Sequence, residues 1–160
     1  LTTPDSALYD DIDTDMIFHN RHLTITHISE MGPFTFGNLK GWEDFARRAA
    51  LGDMIITGRN FGAGSSRQQA VDCFKSLGIQ AIVARSFGAI YERNAINAGF
   101  PVLTSVHLEE LELTQGEIVR IRHCEDATEA GINFFEPLSI EDIIKCCAVN
   151  NQDFDPQRKP

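Results

Sequence analysis

The residues best suited to chemistry form one short segment, residues 58–67, with the sequence GRNFGAGSSR. Its three glycines allow the backbone to approach a ligand closely and to turn N–H groups toward it. Ser65, Ser66 and Arg67 at its end add two hydroxyls and a guanidinium, a group shaped for bidentate contact with a carboxylate or phosphate. The segment therefore predicts a binding site for a small anion.

The elements on either side of this segment place it where ligands commonly bind. Residues 54–57 are an apolar run bounded by glycines, which is typical of a buried strand. A helix is predicted over residues 66–77, with Gly78 ending it. Ligands bind at the carboxyl ends of strands in open α/β sheets, and a helix start offers unpaired N–H donors.

The same alternation of elements continues along the chain. Residues 81–84 predict a second strand, residues 87–98 a second helix and residues 101–103 the start of a third extended segment. This order implies parallel strands joined by right-handed crossovers.

Other patterns flank this central unit. Before it, a helix is predicted to begin near Leu39 and to stop by Gly52. After it, residues 117–122 alternate as in a half-exposed strand, residues 132–135 are expected to pair with them, and a final helix is predicted to open at Ser139. The expected fold class is α/β with an antiparallel part, in a single domain of 160 residues.

Three other interpretations of the glycine-rich segment stay open. A Walker A loop needs a lysine that the segment lacks. A dinucleotide fingerprint needs glycine where Arg67 stands, although Arg85 would suit a 2′-phosphate. The segment is also compatible with a plain connection in which a serine caps the helix. The density of glycines, hydroxyls and positive charge favours a binding site.

Composition limits the classes of partner. The chain has 14 Lys and Arg against 23 Asp and Glu, a net charge of −9, and no basic cluster larger than Arg47-Arg48. Nucleic-acid binders normally show a basic patch, so nucleic acid is not expected. No apolar run approaches the roughly 20 residues that span a bilayer, and residues 1–5 do not resemble a signal peptide. We therefore expect no membrane partner and a cytoplasmic location.

The cysteine and histidine spacings indicate no metal site. Cys73, Cys124, Cys146 and Cys147 form no Cys-x-x-Cys motif, so reduced thiols are expected. Their spacing also gives no three-ligand set for an iron–sulfur cluster.

Two clusters near the N-terminus have simple interpretations. Asp13 and Asp15 are candidates for acid or base chemistry, but turns in which an Asp side chain bonds the backbone explain them more economically. His19, His22 and His27 suggest a metal site only weakly, because no acidic or thiolate ligand is placed with them.

Four segments together resemble a known family. They are residues 11–17, 60–67, 86–91 and 93–99. In type, order and spacing they are similar to the swivelling domain of the aconitase superfamily, and most closely to the small subunits of isopropylmalate isomerase and homoaconitase enzymes.

The resemblance implies a three-layer β/β/α swivel domain that is active only with a large subunit. In that family the large subunit carries a [4Fe-4S] cluster, and the pair moves a hydroxyl between neighbouring carbons of a malate-type acid by dehydration and rehydration. By the same resemblance Ser65 acts as the base, while Ser66 and Arg67 bind a substrate carboxylate.

The resemblance also assigns substrate choice to the loop of residues 21–25, which makes Arg21, Leu23 and Thr24 candidate substrate-binding residues. The family commonly has Tyr-Leu-Arg-Thr there, and Arg-Glu-His-Ala where this chain has Arg-Gln-Gln-Ala. The expected substrate is 3-isopropylmalate, an intermediate of leucine biosynthesis. The alternative substrates are homoaconitate, citramalate or another 2-substituted malate. The alternative functions are a dinucleotide-binding module and an RNA-binding relative of the family.

Overall fold

The centre of the described part of the fold is a three-stranded parallel sheet. The computed structural model describes residues 1–3, 7–105, 108 and 115–116. The strands are β1 (Met54–Thr57), β2 (Ala81–Ala84) and β3 (Val102–Thr104), hydrogen-bonded in the order β1-β2-β3. All pairs are parallel, as the alternation of elements predicted.

Short helices accompany the sheet. They are α1 (Thr14–Ile17), α2 (Phe45–Arg48), α3 (Gln69–Leu77) and α4 (Ala89–Asn97), with single 3₁₀ turns at Asn20–His22, Ile28–Glu30 and Gly32–Phe34. The helices α3 and α4 are the β1–β2 and β2–β3 crossovers, so the predicted α/β class is confirmed.

Helix α3 begins three residues later than predicted. Residues 66 and 67 are irregular, and the N-cap residue is Gln68, which makes no side-chain capping bond. Neither serine therefore serves as the helix cap. The predicted end is correct, because Gly78 is left-handed with φ 72° and its N–H returns to the last turn.

The helix predicted to begin near Leu39 is wrong in extent. Only the four residues of α2 are α-helical there. Gly41 has φ 85°, a left-handed conformation that a right-handed helix does not admit. The apolar spacing arises instead because Leu39 and Trp42 are buried from successive turns, with the Trp42 indole Nε1 donating to the Thr2 carbonyl at 2.9 Å.

An aromatic core lies between the crossover helices and the glycine-rich segment. Phe36, Phe61, Phe74 and Tyr91 are all almost completely buried. Phe36 lies 5.2 Å from Phe74, and Phe61 lies 5.2 Å from Tyr91, both in edge-to-face geometry. Burying a side chain of this size stabilises a fold by roughly 1.5–3 kcal/mol, so Phe61 anchors the segment to the core.

The predicted strands at 117–122 and 132–135 and the helix at Ser139 lie outside the described residues. So does the predicted antiparallel part of the sheet. Within the part of the chain that the structure describes, no helix is long and apolar enough to cross a membrane.

Candidate functional site

The glycine-rich segment is held between two other pieces of chain. On one side, Gly62 donates its N–H to the Ile12 carbonyl at 2.7 Å, and Thr14 donates to the Ala63 carbonyl at 2.9 Å. On the other side, Gly88 donates to the Phe61 carbonyl at 2.8 Å. The segment is therefore fixed by backbone bonds from regions distant in sequence.

Gly62 and Gly88 are required because the backbone packs closely there. Gly62 has φ 78°, and a Cβ on it would lie 2.2 Å from Cγ of Tyr91. A Cβ on Gly88 would lie 2.9 Å from the Gly62 carbonyl oxygen. Glycine thus lets this segment pack directly against α4, which brings α4 to the site.

Ser65 presents a free hydroxyl to solvent. The residue is exposed, and its Oγ makes no hydrogen bond with any described residue. Its backbone is held, because the Thr14 hydroxyl donates to the Ser65 carbonyl at 2.9 Å. A fixed backbone with an unengaged side chain suits a group that acts on a ligand.

The Ser66 hydroxyl has one protein partner. Nδ2 of Asn94, on α4, donates to Ser66 Oγ at 3.1 Å. Ser66 is exposed and Asn94 is half-buried. Helix α4 therefore contacts the segment that leads into α3.

Arg67 is held at one nitrogen and open at the others. Its side chain is only 14% exposed, and Nη1 donates to Asp15 Oδ1 at 2.6 Å and to the Phe18 carbonyl at 3.0 Å. Nε and Nη2 make no hydrogen bond to a described residue. One edge of the guanidinium thus has no hydrogen-bond partner among the described residues, and such an edge can make a bidentate contact with an anion.

The backbone beside these side chains supplies more donors. The N–H groups of residues 64–67 donate to no acceptor within the described ranges. They lie just ahead of α3, whose N-terminus carries the positive end of the helix dipole. Backbone, hydroxyls and guanidinium thus place several hydrogen-bond donors close together in sequence.

Asp13 and Asp15 have different roles, although they stand two residues apart. Oδ1 of Asp13 accepts from the N–H groups of Asp15 and Met16, both at 2.8 Å, and caps α1. The predicted backbone-bonding turn is confirmed there. For Asp15 it is only part of the account, because its Oδ1 accepts from the Asn20 N–H at 3.0 Å and also from Arg67 Nη1 at 2.6 Å.

The hydrogen bond from Arg67 is the largest cause of a lowered pKa at Asp15, and the Asn20 N–H and the nearby Arg67 and His19 charges add to it. Burial acts in the opposite direction. The carboxylate is therefore ionised near neutral pH and compensates the guanidinium charge.

Sequence reasoning missed Thr14 and Asn94, and it did not predict the contact of Asp15 with Arg67. Thr14, Asp15 and Asn94 hold Ser65, Arg67 and Ser66 respectively. Their sequence separations are 51, 52 and 28 residues, so no local spacing predicts the contacts. The available signal was that all three lie within the segments that resemble the family.

The loop of residues 21–25 adjoins the site without bonding to it directly. Arg21 is exposed, and its Nε donates to His22 Nε2 at 2.9 Å. The Leu23 carbonyl accepts from Gln69 at the start of α3, at 3.5 Å. Thr24 is exposed, and no hydrogen bond joins Arg21, Leu23 or Thr24 to residues 65–67 in the described structure.

The histidines of this loop are packing and capping groups. The His22 ring stacks on Phe34 at 4.2 Å, and His19 Nδ1 accepts from the Arg21 N–H at 3.1 Å. Burial, with the charges of Arg21 and His19, lowers the pKa of His22. Among residues with described positions, no group of three His, Cys, Asp or Glu side chains is placed to hold a metal ion.

Cys73 is a core residue of α3. It is fully buried, and burial raises the pKa of its thiol to about 12. Cys124, Cys146 and Cys147 lie outside the described residues.

Comparison with known proteins identifies the family. The 3-isopropylmalate dehydratase small subunit of Lachnospira eligens is 38% identical over 115 residues, which cover 72% of this chain and 68% of that protein. The chain belongs to the aconitase family of small subunits. The family model of the aconitase C-terminal domain matches residues 43–106, which include β1, α3, β2, α4 and β3.

Other relatives of this aconitase-type chain carry two names. The 3-isopropylmalate dehydratase small subunit 1 of Archaeoglobus fulgidus is 41% identical over 64% of this chain and 63% of its own length. The methanogen homoaconitase small subunit of Methanothermobacter thermautotrophicus is 44% identical over 59% of this chain and 54% of its own. The matches thus span a little over half to two thirds of these relatives.

A solved structure agrees with the fold. The crystal structure of a 3-isopropylmalate dehydratase from Methanocaldococcus jannaschii superposes with a TM-score of 0.62 at 39% identity, covering 69% of this chain and 63% of that one. The resemblance inferred from the four segments is confirmed. The three-layer arrangement and the roles of individual residues stay predictions.

Proposed function

We propose that this chain is the small subunit of a [4Fe-4S] hydro-lyase that interconverts hydroxy-acid isomers by dehydration and rehydration. One observation carries the proposal. In the segment that follows β1, the exposed Ser65 hydroxyl is next to backbone N–H groups that have no described acceptor. Two residues later comes Arg67, whose guanidinium is hydrogen-bonded through Nη1. The names of the relatives supply the reaction class.

The described part of this chain offers no ligand set for an iron–sulfur cluster, since it contains no group of three His, Cys, Asp or Glu side chains at metal-binding distance. We therefore assign the cluster to a large-subunit partner. Departure of the substrate hydroxyl falls to that partner, and this chain supplies the proton transfer and part of the substrate binding.

Ser65 is the proposed base. As an alkoxide it removes the proton from the carbon beside a substrate carboxylate, and returns it during rehydration. A neutral serine is a weak base, so the ionised form needs stabilisation. The unpaired N–H groups of residues 64–67 and the dipole of α3 supply it.

Arg67 and Ser66 are proposed to bind the carboxylate beside that carbon. Removing the proton spreads additional negative charge onto the carboxylate, so donors aimed at it stabilise the transition state more than the ground state. Asp15 and the Phe18 carbonyl hold Nη1 of Arg67, which orients the remaining edge before substrate arrives.

The substrate we propose is 3-isopropylmalate, with homoaconitate as the alternative, because relatives of both names match at similar identity. Arg21, Leu23 and Thr24 are the proposed specificity residues. Turnover of isopropylmalate, homocitrate and citramalate by one assembled enzyme distinguishes these substrates. The free, buried thiol of Cys73 fits a reducing compartment, and we place the enzyme in the cytoplasm.

The decisive experiment is Ser65→Ala in the enzyme assembled with a cluster-bearing large subunit from the same organism. Loss of a general base lowers kcat by about 10²–10⁴-fold. Ser29→Ala is the matched control, because Ser29 is equally exposed but lies in the 3₁₀ turn Ile28–Glu30. Near-normal kcat in Ser65→Ala would remove the assigned base and the mechanism with it.

A further inference from the structure

Among the described residues, one hydrogen bond joins helix α4 to the side chains of residues 65–67. Nδ2 of Asn94 donates to Ser66 Oγ at 3.1 Å, across 28 residues of sequence. Asn94 is half-buried, whereas the hydroxyl it contacts belongs to an exposed residue. Helix α4 thus supplies a hydrogen-bond partner to a hydroxyl of an exposed residue.

The direction of this bond determines what the hydroxyl offers a ligand. A serine hydroxyl has one hydrogen to donate and lone pairs that accept. An amide nitrogen carries only hydrogens, so Asn94 takes a lone pair of Ser66 and leaves the hydroxyl hydrogen unused. No described residue accepts that hydrogen.

The neighbouring groups have the same polarity. The N–H groups of residues 64–67 and the open edge of Arg67 are all donors. A carboxylate accepts and never donates when ionised. Apart from Ser65, the proposed base, the groups beside Ser66 are donors and therefore recognise a carboxylate. A Ser66 hydroxyl turned the other way would present a lone pair to that carboxylate and oppose its binding.

We propose that Asn94 is a positioning residue that keeps the Ser66 hydroxyl as a donor toward the substrate carboxylate. The assignment rests on the proposed function, in which Ser66 binds that carboxylate. A neutral amide suits this role, because it donates to a lone pair of the hydroxyl without adding negative charge beside an anionic ligand.

Replacing the amide by a carboxylate reverses the bond with little change of shape. In Asn94→Asp the new carboxylate accepts the Ser66 hydrogen, so the hydroxyl turns away from substrate. We expect KM for the hydroxy acid to rise at least about tenfold, the order of a lost hydrogen bond to a charged group. We expect kcat to fall as well, because the carboxylate that Ser66 binds gains negative charge in the transition state; Ser65 itself makes no hydrogen bond to Asn94 in the described structure.

Two comparisons separate this effect from charge and from misfolding. Asn97→Asp introduces the same charge at an exposed position of α4 and is expected to leave KM unchanged. Thermal unfolding of each variant shows whether the fold is retained.

The third comparison is the same substitution in a Ser66→Ala background. Without the hydroxyl, Asn94→Asp acts only through charge, and its KM penalty is expected to shrink by about tenfold, a coupling of about 1.4 kcal/mol. A residue with only a structural role would give the same penalty in both backgrounds.

The outcomes are distinguishable from failure of the proposed function. An assembled wild-type enzyme that turns over no hydroxy acid would overturn the function, and this assignment with it. An active wild type would overturn the assignment alone if KM were unchanged in Asn94→Asp, or if its penalty were equal with and without the Ser66 hydroxyl.

Discussion

Substitution of Asp15 by Asn isolates the ion pair that holds Arg67. The substitution keeps the shape and removes the charge of the carboxylate that accepts from Nη1 at 2.6 Å. The Arg67 side chain is 14% exposed and that of Asp15 is 33% exposed. The guanidinium would thus remain largely removed from water with only the Phe18 carbonyl and the new amide beside it.

The exposures of the two partners set the expected magnitude. Removing one partner of a fully buried pair costs about 3–5 kcal/mol, because a buried charge is left uncompensated. Exposed pairs contribute about 0.2–1 kcal/mol. The Asp15–Arg67 pair lies between these limits, and we expect Asp15→Asn to lower the free energy of unfolding by about 1–2 kcal/mol.

Urea unfolding of the chain at pH 7 measures this cost, with Asp44→Asn as the control. Asp44 pairs with Arg48 at 3.0 Å, but the side chains are 45% and 37% exposed. The control therefore makes the same chemical change and is expected to cost less than about 0.5 kcal/mol. Equal stability losses in the two variants would refute the claim that burial of Arg67 makes the Asp15 pair stronger.

The pH dependence tests the cause. Folding lowers the pKa of Asp15 below its ordinary 3.8, chiefly through the hydrogen bond from Arg67. The stability from ionised Asp15 is therefore present above 3.8 and lost as pH falls through the lower folded-state pKa. The difference between wild type and Asp15→Asn should be complete near neutrality and shrink in acid. A difference that stays constant from pH 7 to pH 3 would exclude the ion pair as its source.

Two further predictions concern the packing around the site. Gly62→Ala should destabilise the fold by about 2–5 kcal/mol, because the new Cβ overpacks against Tyr91 and the alanine must adopt a left-handed conformation. The control is Gly99→Ala, where the backbone is also left-handed but no atom lies within 4 Å of the new Cβ. In thermal or urea unfolding it should cost only about 1–2 kcal/mol. Burial raises the pKa of the Cys73 thiol to about 12, so alkylation at pH 8 should leave this thiol unmodified in the folded chain and modify it fully in urea. Peptide mapping measures the modification. Rapid labelling of the folded chain would contradict the burial of Cys73.

The strands were the most predictable part of the fold. The strands β1 and β2 coincide with the predicted residues, because each is a short apolar run bounded by residues that end it. The helix starts were less predictable. Ser66 looked like a cap by residue type, but its hydroxyl is engaged by Asn94 and the helix begins beyond it. Local propensity cannot account for a partner on another helix.

The site shows the same difference between features that local sequence predicts and features that tertiary packing determines. Ser65, Ser66 and Arg67 are contiguous, so their chemistry was visible in the sequence. Asp13 and Asp15 carry the same side chain, yet only the contacts of Asp13 with the next two or three residues could be predicted. The contact of Asp15 with Arg67 depends on how residues 9–14 run beside the glycine-rich segment, which tertiary packing determines.

The Asp15 pair also explains how Arg67 can be buried and still available. Without a partner, a guanidinium buried to this extent would lose part of its hydration, and that loss would make its burial unfavourable. Here Asp15 and the Phe18 carbonyl compensate the charge at Nη1 and fix the side chain before any ligand arrives. A carboxylate that meets the remaining edge therefore gains a bidentate contact without ordering a flexible arginine. In a chain of net charge −9, binding of an organic acid then depends on this local arrangement of donors and not on the overall charge.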